Sequence, residues 1–261
     1  MKHISSRDNP RYKLLARLLA GKREGKVVLE GVHLCQEWLR HKGQPEFALF
    51  DAQKLAGGGE LAGLAQALDP AIVLSCEPAL ARSLSQVEQG QGVYFVGVLP
   101  ALAPPARIAR NCLWLDRVQD PGNVGTLLRT AAAAGVDQAY LSRGCAGAWT
   151  PKALRSGQGA HFAMDVFEQA DLAALRARLD IPLVATCLEG AQSLYQEPLP
   201  CDCAWLMGNE GQGVDPALLA QADRRVFIPQ AEGVESLNVA AAAAVCLFEQ
   251  RRQSGDRPRR A

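Results

Sequence analysis

Beyond a proline-rich break, short apolar runs and helix-like segments take turns along the chain, and this alternation narrows the fold more than any single motif. From Cys112 the order reads CLWLD, a helix over 124–134, QAYLS, a short helix over 151–156, HFAMDVF, a helix over 172–179, PLVATC, CAWLMG, a short helix over 216–220, RRVFIP and a last helix over 237–252. Strands separated by helices call for right-handed crossovers, so the expected class is α/β with a mainly parallel sheet. Open sheets of this kind bind ligands beyond the carboxyl ends of their strands. The loops that follow strands are where chemistry is expected.

The first hundred residues alternate in the same way on a smaller scale. Leucines 14, 15, 18 and 19 form a helical stripe within 10–22; KVVLEG, EFALF, AIVLS and VYFVGVL read as strands, and 32–41 and 78–84 as helices. The expected organisation is a small α/β domain over 1–99, a linker over 100–110 (PALAPPARIAR), a second domain over 111–252 and a basic, disordered tail over 253–261.

Hydrophobic residues make up 48% of the 261, which excludes an intrinsically disordered chain. Net charge is only +1, yet basic residues gather near the N-terminus (Lys2, Arg7, Arg11, Lys13, Arg17, Lys22, Arg23, Lys26) and in the tail. Such clusters are either nucleic-acid footprints or solvated surface. The polar N-terminus resembles no secretion signal and no apolar run has the length of a membrane span, so a cytoplasmic protein that keeps clear of membranes is expected. The eight cysteines stand mostly alone in apolar segments; Cys201 and Cys203 form a C-x-C without a second pair, so no metal is expected.

Three loops stand out. In LDRVQDPGNVGTLLRTAAAAG a strand ends at Asp116, Asn123 is expected to cap the next helix and Gly135 to stop it. Arg129 sits among apolar and small residues; a helical side chain leans toward the N-terminus, over Gly125 and toward the Asn123 loop, unless it snorkels to water. In LMGNEGQGVDP, Gly208, Gly211 and Gly213 suit a sharp turn or a close backbone approach to a ligand, and Glu210 is an acid at a strand's carboxyl end. No Gly-Lys-Ser/Thr follows and Asn209 and Glu210 interrupt a dinucleotide fingerprint, which argues against a phosphate loop and a nicotinamide enzyme. In FIPQAEGVESLNVAAAAAV, Ser236 is expected to cap the last helix, with Asn238 in its first turn and alanines behind that allow close packing.

Taken in order and with this spacing, N-x-G-x-x-x-R-T-A, G-N-E-G-x-G and I-P-(x)6-S-L-N-V resemble the motifs of the SpoU/TrmH branch of the SPOUT methyltransferases, over roughly Cys112 to Arg252. PKALRSGQGAHF resembles the family's segment between the first two motifs, and ISSRDNPRYKLL with VVLEGVHLCQEWL more loosely resembles the substrate-binding domain attached to many members. The resemblance implies transfer of a methyl group from S-adenosylmethionine to a ribose 2′-hydroxyl of RNA, a deep trefoil knot in the C-terminal domain, a small α/β RNA-binding domain ahead of it, and a homodimer built through the C-terminal domain. It places Gly208, Ile228 and Leu237 at the cofactor, with Thr186 nearby, and Asn123, Arg129, Glu210, Ser236 and Asn238 at the reaction centre.

A sulfonium methyl is already activated, so such an enzyme must align it with the hydroxyl and handle one proton. The resemblance makes Arg129 the base, but a guanidinium is not deprotonated in proteins. Arg129 is therefore read as stabilising developing alkoxide charge or an adjacent phosphate. Lys152 and Arg155 are candidate phosphate contacts, or else surface charges on a short helix. Ribosomal RNA is favoured over tRNA, by analogy with the attached domain. An RNA-binding protein derived from the fold and lacking activity is the alternative, against which the intact five-residue set argues.

Overall fold

The computed structural model describes residues 1–22, 25–99, 101–233 and 236–255. Two compact units are present. The first comprises Met1–Ala101 together with Trp149–Phe162, and the second Leu102–Ala148 together with Ala163–Ala261.

The first unit is built from β1 (Lys2–Ile4), α1 (Pro10–Leu19), β2 (Lys26–Glu30), α2 (Val32–Lys42), β3 (Phe47–Asp51), α3 (Ala52–Ala56), α4 (Gly59–Gln66), β4 (Val73–Cys76), α5 (Pro78–Leu84) and β5 (Val93–Val98). Its sheet runs β1-β4-β3-β5-β2. The β1-β4 and β4-β3 pairs are parallel, and β5 is antiparallel to both neighbours. Helix α1 starts where Asn9 accepts the Arg11 N–H ahead of Pro10, and it buries Tyr12, Leu15 and Leu18.

The segment 149–162, read from the sequence as part of the second domain, packs in this first unit. It contains α7 (Pro151–Gly157), capped by the Thr150 side chain. Its apolar side chains decide the placement: Trp149, Ala153, Leu154 and Phe162 are buried, and the Phe162 ring meets Trp38 of α2 edge to face with centroids 5.4 Å apart. The backbone carbonyl of Gln158 lies 3.3 Å from His33 Nε2.

The second unit holds β6 (Cys112–Leu115), α6 (Pro121–Ala134), β7 (Gln138–Ser142), β8 (Asp165–Ala170), α8 (Leu172–Leu175), β9 (Leu183–Thr186), β10 (Gln192–Ser193), β11 (Ala204–Met207), α9 (Pro216–Leu219), β12 (Arg224–Phe227) and α10 (Val239–Ser254). Its seven described strands are ordered β10-β12-β9-β11-β6-β7-β8, and every pair is parallel. The central strands are buried throughout, as a sheet covered on both faces demands.

Helix α6 buries Val124, Gly125, Leu127, Leu128 and Ala131, and ends at Gly135, which takes the left-handed φ of 94° expected of a stop. Each fully buried leucine contributes roughly 2 kcal/mol of hydrophobic free energy. Helix α10 packs against α6, and its buried face carries the small residues Ala240, Ala243 and Cys246 at helical spacing, with Leu247 beside them. The run HFAMDVF is a strand only from Asp165, because 160–163 form a 3-10 turn. Ile108, inside the expected linker, is buried and pairs with Leu179. The expected tail begins later than 253, since α10 continues to Ser254 and Gly255 follows as its cap; 256–261 lie outside the described residues. Among the described residues no helix is long and apolar enough to cross a membrane, and no group of three or more His, Cys, Asp or Glu side chains could hold a metal ion.

Candidate active site

Strands β6 and β11 are adjacent and in register, with Leu115 opposite Met207, so the loops that leave them at Asp116 and Gly208 emerge side by side. The Asn209 side-chain amide donates to the Arg117 carbonyl (2.8 Å) and folds the second loop onto the first. The second loop also turns back on itself, Asn209 and Gly213 exchanging backbone hydrogen bonds, and this leaves no room for a side chain at Gly208, whose Cβ would strike the Gly213–Val214 backbone.

Three of the anticipated residues meet in one chain of hydrogen bonds. Asn123 Nδ2 donates to Glu210 Oε1 (2.9 Å), and Asn123 Oδ1 accepts from Asn238 Nδ2 (3.1 Å). Asn238 Oδ1 in turn accepts the Ala240 N–H (2.9 Å) and the Ala241 N–H (3.3 Å) at the start of α10. The orientation of each amide follows from this order. A carboxylate only accepts, so Asn123 must turn its nitrogen to Glu210 and its oxygen to Asn238. Glu210 also receives the Gln119 N–H (3.3 Å) and the Asp120 N–H (3.5 Å). Partial burial pushes the Glu210 carboxyl up, but the Asn123 amide and the backbone donors outweigh it and hold it below its ordinary value.

Both helix starts differ from the sequence expectation. Asp120, not Asn123, caps α6: it accepts the N–H groups of Gly122 and Asn123, and Pro121 in the first position has no N–H to satisfy. Asn238, not Ser236, caps α10. In the first case the shift frees the Asn123 side chain for Glu210; in the second Asn238 keeps its nitrogen for Asn123 while its oxygen caps.

Beneath this chain lies a buried carboxylate to which the sequence reading assigned no role. Asp116 is 3% exposed. It accepts from Arg117 Nε (3.2 Å) and Nη2 (3.1 Å), from Ser142 Oγ at the end of β7 (3.3 Å) and from the Asp215 N–H (2.8 Å). The sequence signal was present only as an acid directly after a strand; its partners lie up to 99 residues away.

Arg129 points from α6 into solvent and makes no hydrogen bond or ion pair with a described residue. The structure therefore joins Asn123 to Glu210 and Asn238, and Arg129 takes no part in that chain. Ser236 and Leu237 are exposed. Thr186, Gly208 and Ile228 stand at the same end of three adjacent strands, β9, β11 and β12. Lys152 and Arg155 belong to the first unit. Lys152 is exposed, whereas one Arg155 guanidinium nitrogen is buried without a hydrogen-bond partner.

The SpoU rRNA Methylase family matches residues 110–248, more than half of the chain. An uncharacterized tRNA/rRNA methyltransferase of Synechocystis is 34% identical, over 96% of this chain and 93% of its own length. The 23S rRNA (guanosine(2553)-2′-O)-methyltransferase of Bacillus subtilis is 33% identical, over 96% of this chain and all of its own. An S-adenosylmethionine-bound rRNA methyltransferase from Sinorhizobium meliloti superposes with a TM-score of 0.81 at 26% identity, covering 96% of this chain and 97% of that one. With the three motif loops brought together at one end of a parallel sheet, and with relatives matching along nearly the whole length, the chain belongs to the SpoU rRNA methylase family.

Proposed function

We propose that this chain is an S-adenosylmethionine-dependent methyltransferase that methylates a ribose 2′-hydroxyl of ribosomal RNA. The observation that carries the reading is the Glu210–Asn123–Asn238 chain, in which one residue from each of three distant motifs is held within 3.1 Å of the next.

The residues present fit the cofactor. Thr186, Gly208 and Ile228 end neighbouring strands, and the Gln230 side-chain oxygen, two residues beyond Ile228, is a buried acceptor with no hydrogen-bond partner, suited to an amino or hydroxyl donor. When bound, S-adenosylmethionine supplies an electrophilic methyl. The chain's own groups do the rest. Arg129 offers its unengaged guanidinium donors to a phosphate or to developing alkoxide charge. The Glu210–Asn123–Asn238 chain holds the start of α6 against the start of α10 and so keeps the floor of the site rigid. Cysteine-dependent methylation of a base carbon finds no support: burial pushes the Cys145 thiol, beside the first loop, above its ordinary value, and pushes Cys246 up to about 12.

The finer parts of the proposal are a C-terminal segment threaded as a knot, a homodimer through the second unit, a first unit that supplies RNA affinity with Lys152 and Arg155 as phosphate contacts, and a cytoplasmic location. Incubation of the protein with labelled S-adenosylmethionine and either ribosomal RNA or tRNA, followed by nucleoside mass spectrometry, tests the central claim. A 2′-O-methylnucleoside from ribosomal RNA is expected. A methylated base on an unmodified ribose overturns the chemistry, transfer to tRNA alone overturns the substrate, and cofactor binding without turnover on any RNA favours the non-catalytic alternative.

A further inference from the structure

Arg117 takes a left-handed backbone conformation, with φ of 54°, that a residue with a long side chain rarely adopts. Such strain persists only where the surroundings over-determine it, often at functional sites. Here every polar group of the residue is engaged. Its N–H donates to Ser142 Oγ (2.9 Å), its carbonyl accepts from Asn209 Nδ2 (2.8 Å), and its guanidinium pairs with Asp116 and lies 3.8 Å from Asp215. The strained residue is thus a rivet between the loops that leave β6, β7 and β11.

The centre of the rivet is the Asp116 carboxylate. Its two oxygens receive Arg117, Ser142 and the Asp215 N–H, all of them donors. A carboxylate suits the place because each of its oxygens faces an Arg117 guanidinium nitrogen, so an asparagine, whichever way it turned, would set an N–H pair against a group that only donates. The loop on one side of the rivet runs through Gln119 and Asp120 to Asn123; the loop on the other carries Glu210. Those are the groups that meet at the surface.

We propose that Asp116, through Arg117 and Ser142, is a positioning residue for methyl transfer: it fixes the separation of the two loops so that Asn123 and Glu210 meet in the geometry the reaction needs. This rests on the methyltransferase reading above. Misplacement of a positioned group by about 1 Å costs up to ~100-fold in rate, so a large effect on chemistry is expected from a residue that touches neither RNA nor cofactor.

The test is Asp116→Asn, with three readouts. Single-turnover methyl transfer should fall by at least about tenfold, while the dissociation constant for S-adenosylmethionine moves less than about threefold, a split that general destabilisation would not give. In a double-mutant cycle with Glu210→Gln the losses should be non-additive, since both changes act on one junction. Amide hydrogen exchange should quicken in the peptides covering 117–123 and 209–215 and stay unchanged in β8, a result that requires no turnover. A wild-type rate retained by the folded variant, multiplicative losses in the cycle, or faster exchange at Asp215 alone each overturn the proposal. If wild-type protein transfers no methyl group, the functional reading fails while the exchange measurement still decides the rivet. Should Asp116→Asn not fold, Ser142→Ala, which removes one donor and one acceptor, takes its place with the same three readouts.

Discussion

At the scale of single residues, what distinguishes Arg129 is that its guanidinium is uncommitted. Asn123, Glu210 and Asn238 are bound to one another, whereas Arg129 is exposed on the third turn of α6. Arg129→Ala should therefore keep the fold and the affinity for S-adenosylmethionine and reduce methyl transfer by about 100-fold or more; calorimetry and single-turnover assays check the two halves, and near-wild-type turnover rules out its role. Glu210 stands in the opposite condition, because its carboxylate is taken up by Asn123, Gln119 and Asp120. Its donors hold the carboxyl below the ordinary value of 4.5. A depressed folded-state pKa means that its contribution to stability is whole above pH 4.5 and is lost as pH falls through the lower value. Urea unfolding from pH 7 to 3 should show wild type more stable than Glu210→Gln above that window, with the gap closing inside it. A constant gap would mean that Glu210 titrates as it does in the unfolded chain.

At the scale of elements, α10 is pinned at both ends. Asn238 ties its first turn to α6, and Gln250 ties its last turns to the other end of the sheet. The Gln250 side chain, 3% exposed, accepts from Trp205 Nε1 (2.8 Å) and donates toward Asn111 Oδ1 (3.0 Å) and the Pro200 carbonyl (2.9 Å). Gln250→Leu strands these buried groups at about 1–3 kcal/mol for each left unsatisfied, so a destabilisation of roughly 3 kcal/mol is expected from denaturant titration; one under about 1 kcal/mol would mean that water or a neighbour replaces the amide. The same scale explains why Gly208→Val is a poor probe of the cofactor pocket. Its side chain would strike the Gly213–Val214 backbone and break the turn before it met any ligand.

At the scale of the whole molecule, a second copy and RNA are the expected partners. On α10, Ala241 and Phe248 are exposed, Phe248 by 46%, on a helix whose opposite face is buried. If the homodimer forms through the second unit, Phe248→Arg should convert it to a monomer by light scattering at micromolar concentration; a wild-type monomer that is fully active would refute the dimer. RNA affinity should fall steeply with salt. Reversing Lys2 and Arg7 to glutamate should weaken RNA binding and lower the salt slope by about one for each phosphate that the protein no longer neutralises, while leaving cofactor binding alone; unchanged RNA affinity would contradict the role of the first unit. Deleting residues 1–101 is a less clean experiment, because it would expose the faces of Trp149, Leu154 and Phe162, which pack in the same unit.

What the sequence by itself determined is the class and the chemistry. Strand and helix periods are local, so the alternation after Cys112 was legible without a structure, as was the glycine stop at 135. The motifs were legible for the same reason: each is a contiguous stretch whose residue types are demanded by what it must hold. What only the tertiary structure decided is who bonds to whom. Asn123 reads locally as a cap, and becomes the partner of Glu210 and Asn238 because residues 87 and 115 positions away are carried to it by adjacent strands and a packed helix. Asp116 reads as the end of a strand, and is a buried hub because Ser142 and Asp215 converge on it. The segment 149–162 has the helical signature expected of it, yet its apolar face is satisfied in the first unit. Capping, carboxylate pairing and burial depend on contacts across the sheet, and no local period encodes those.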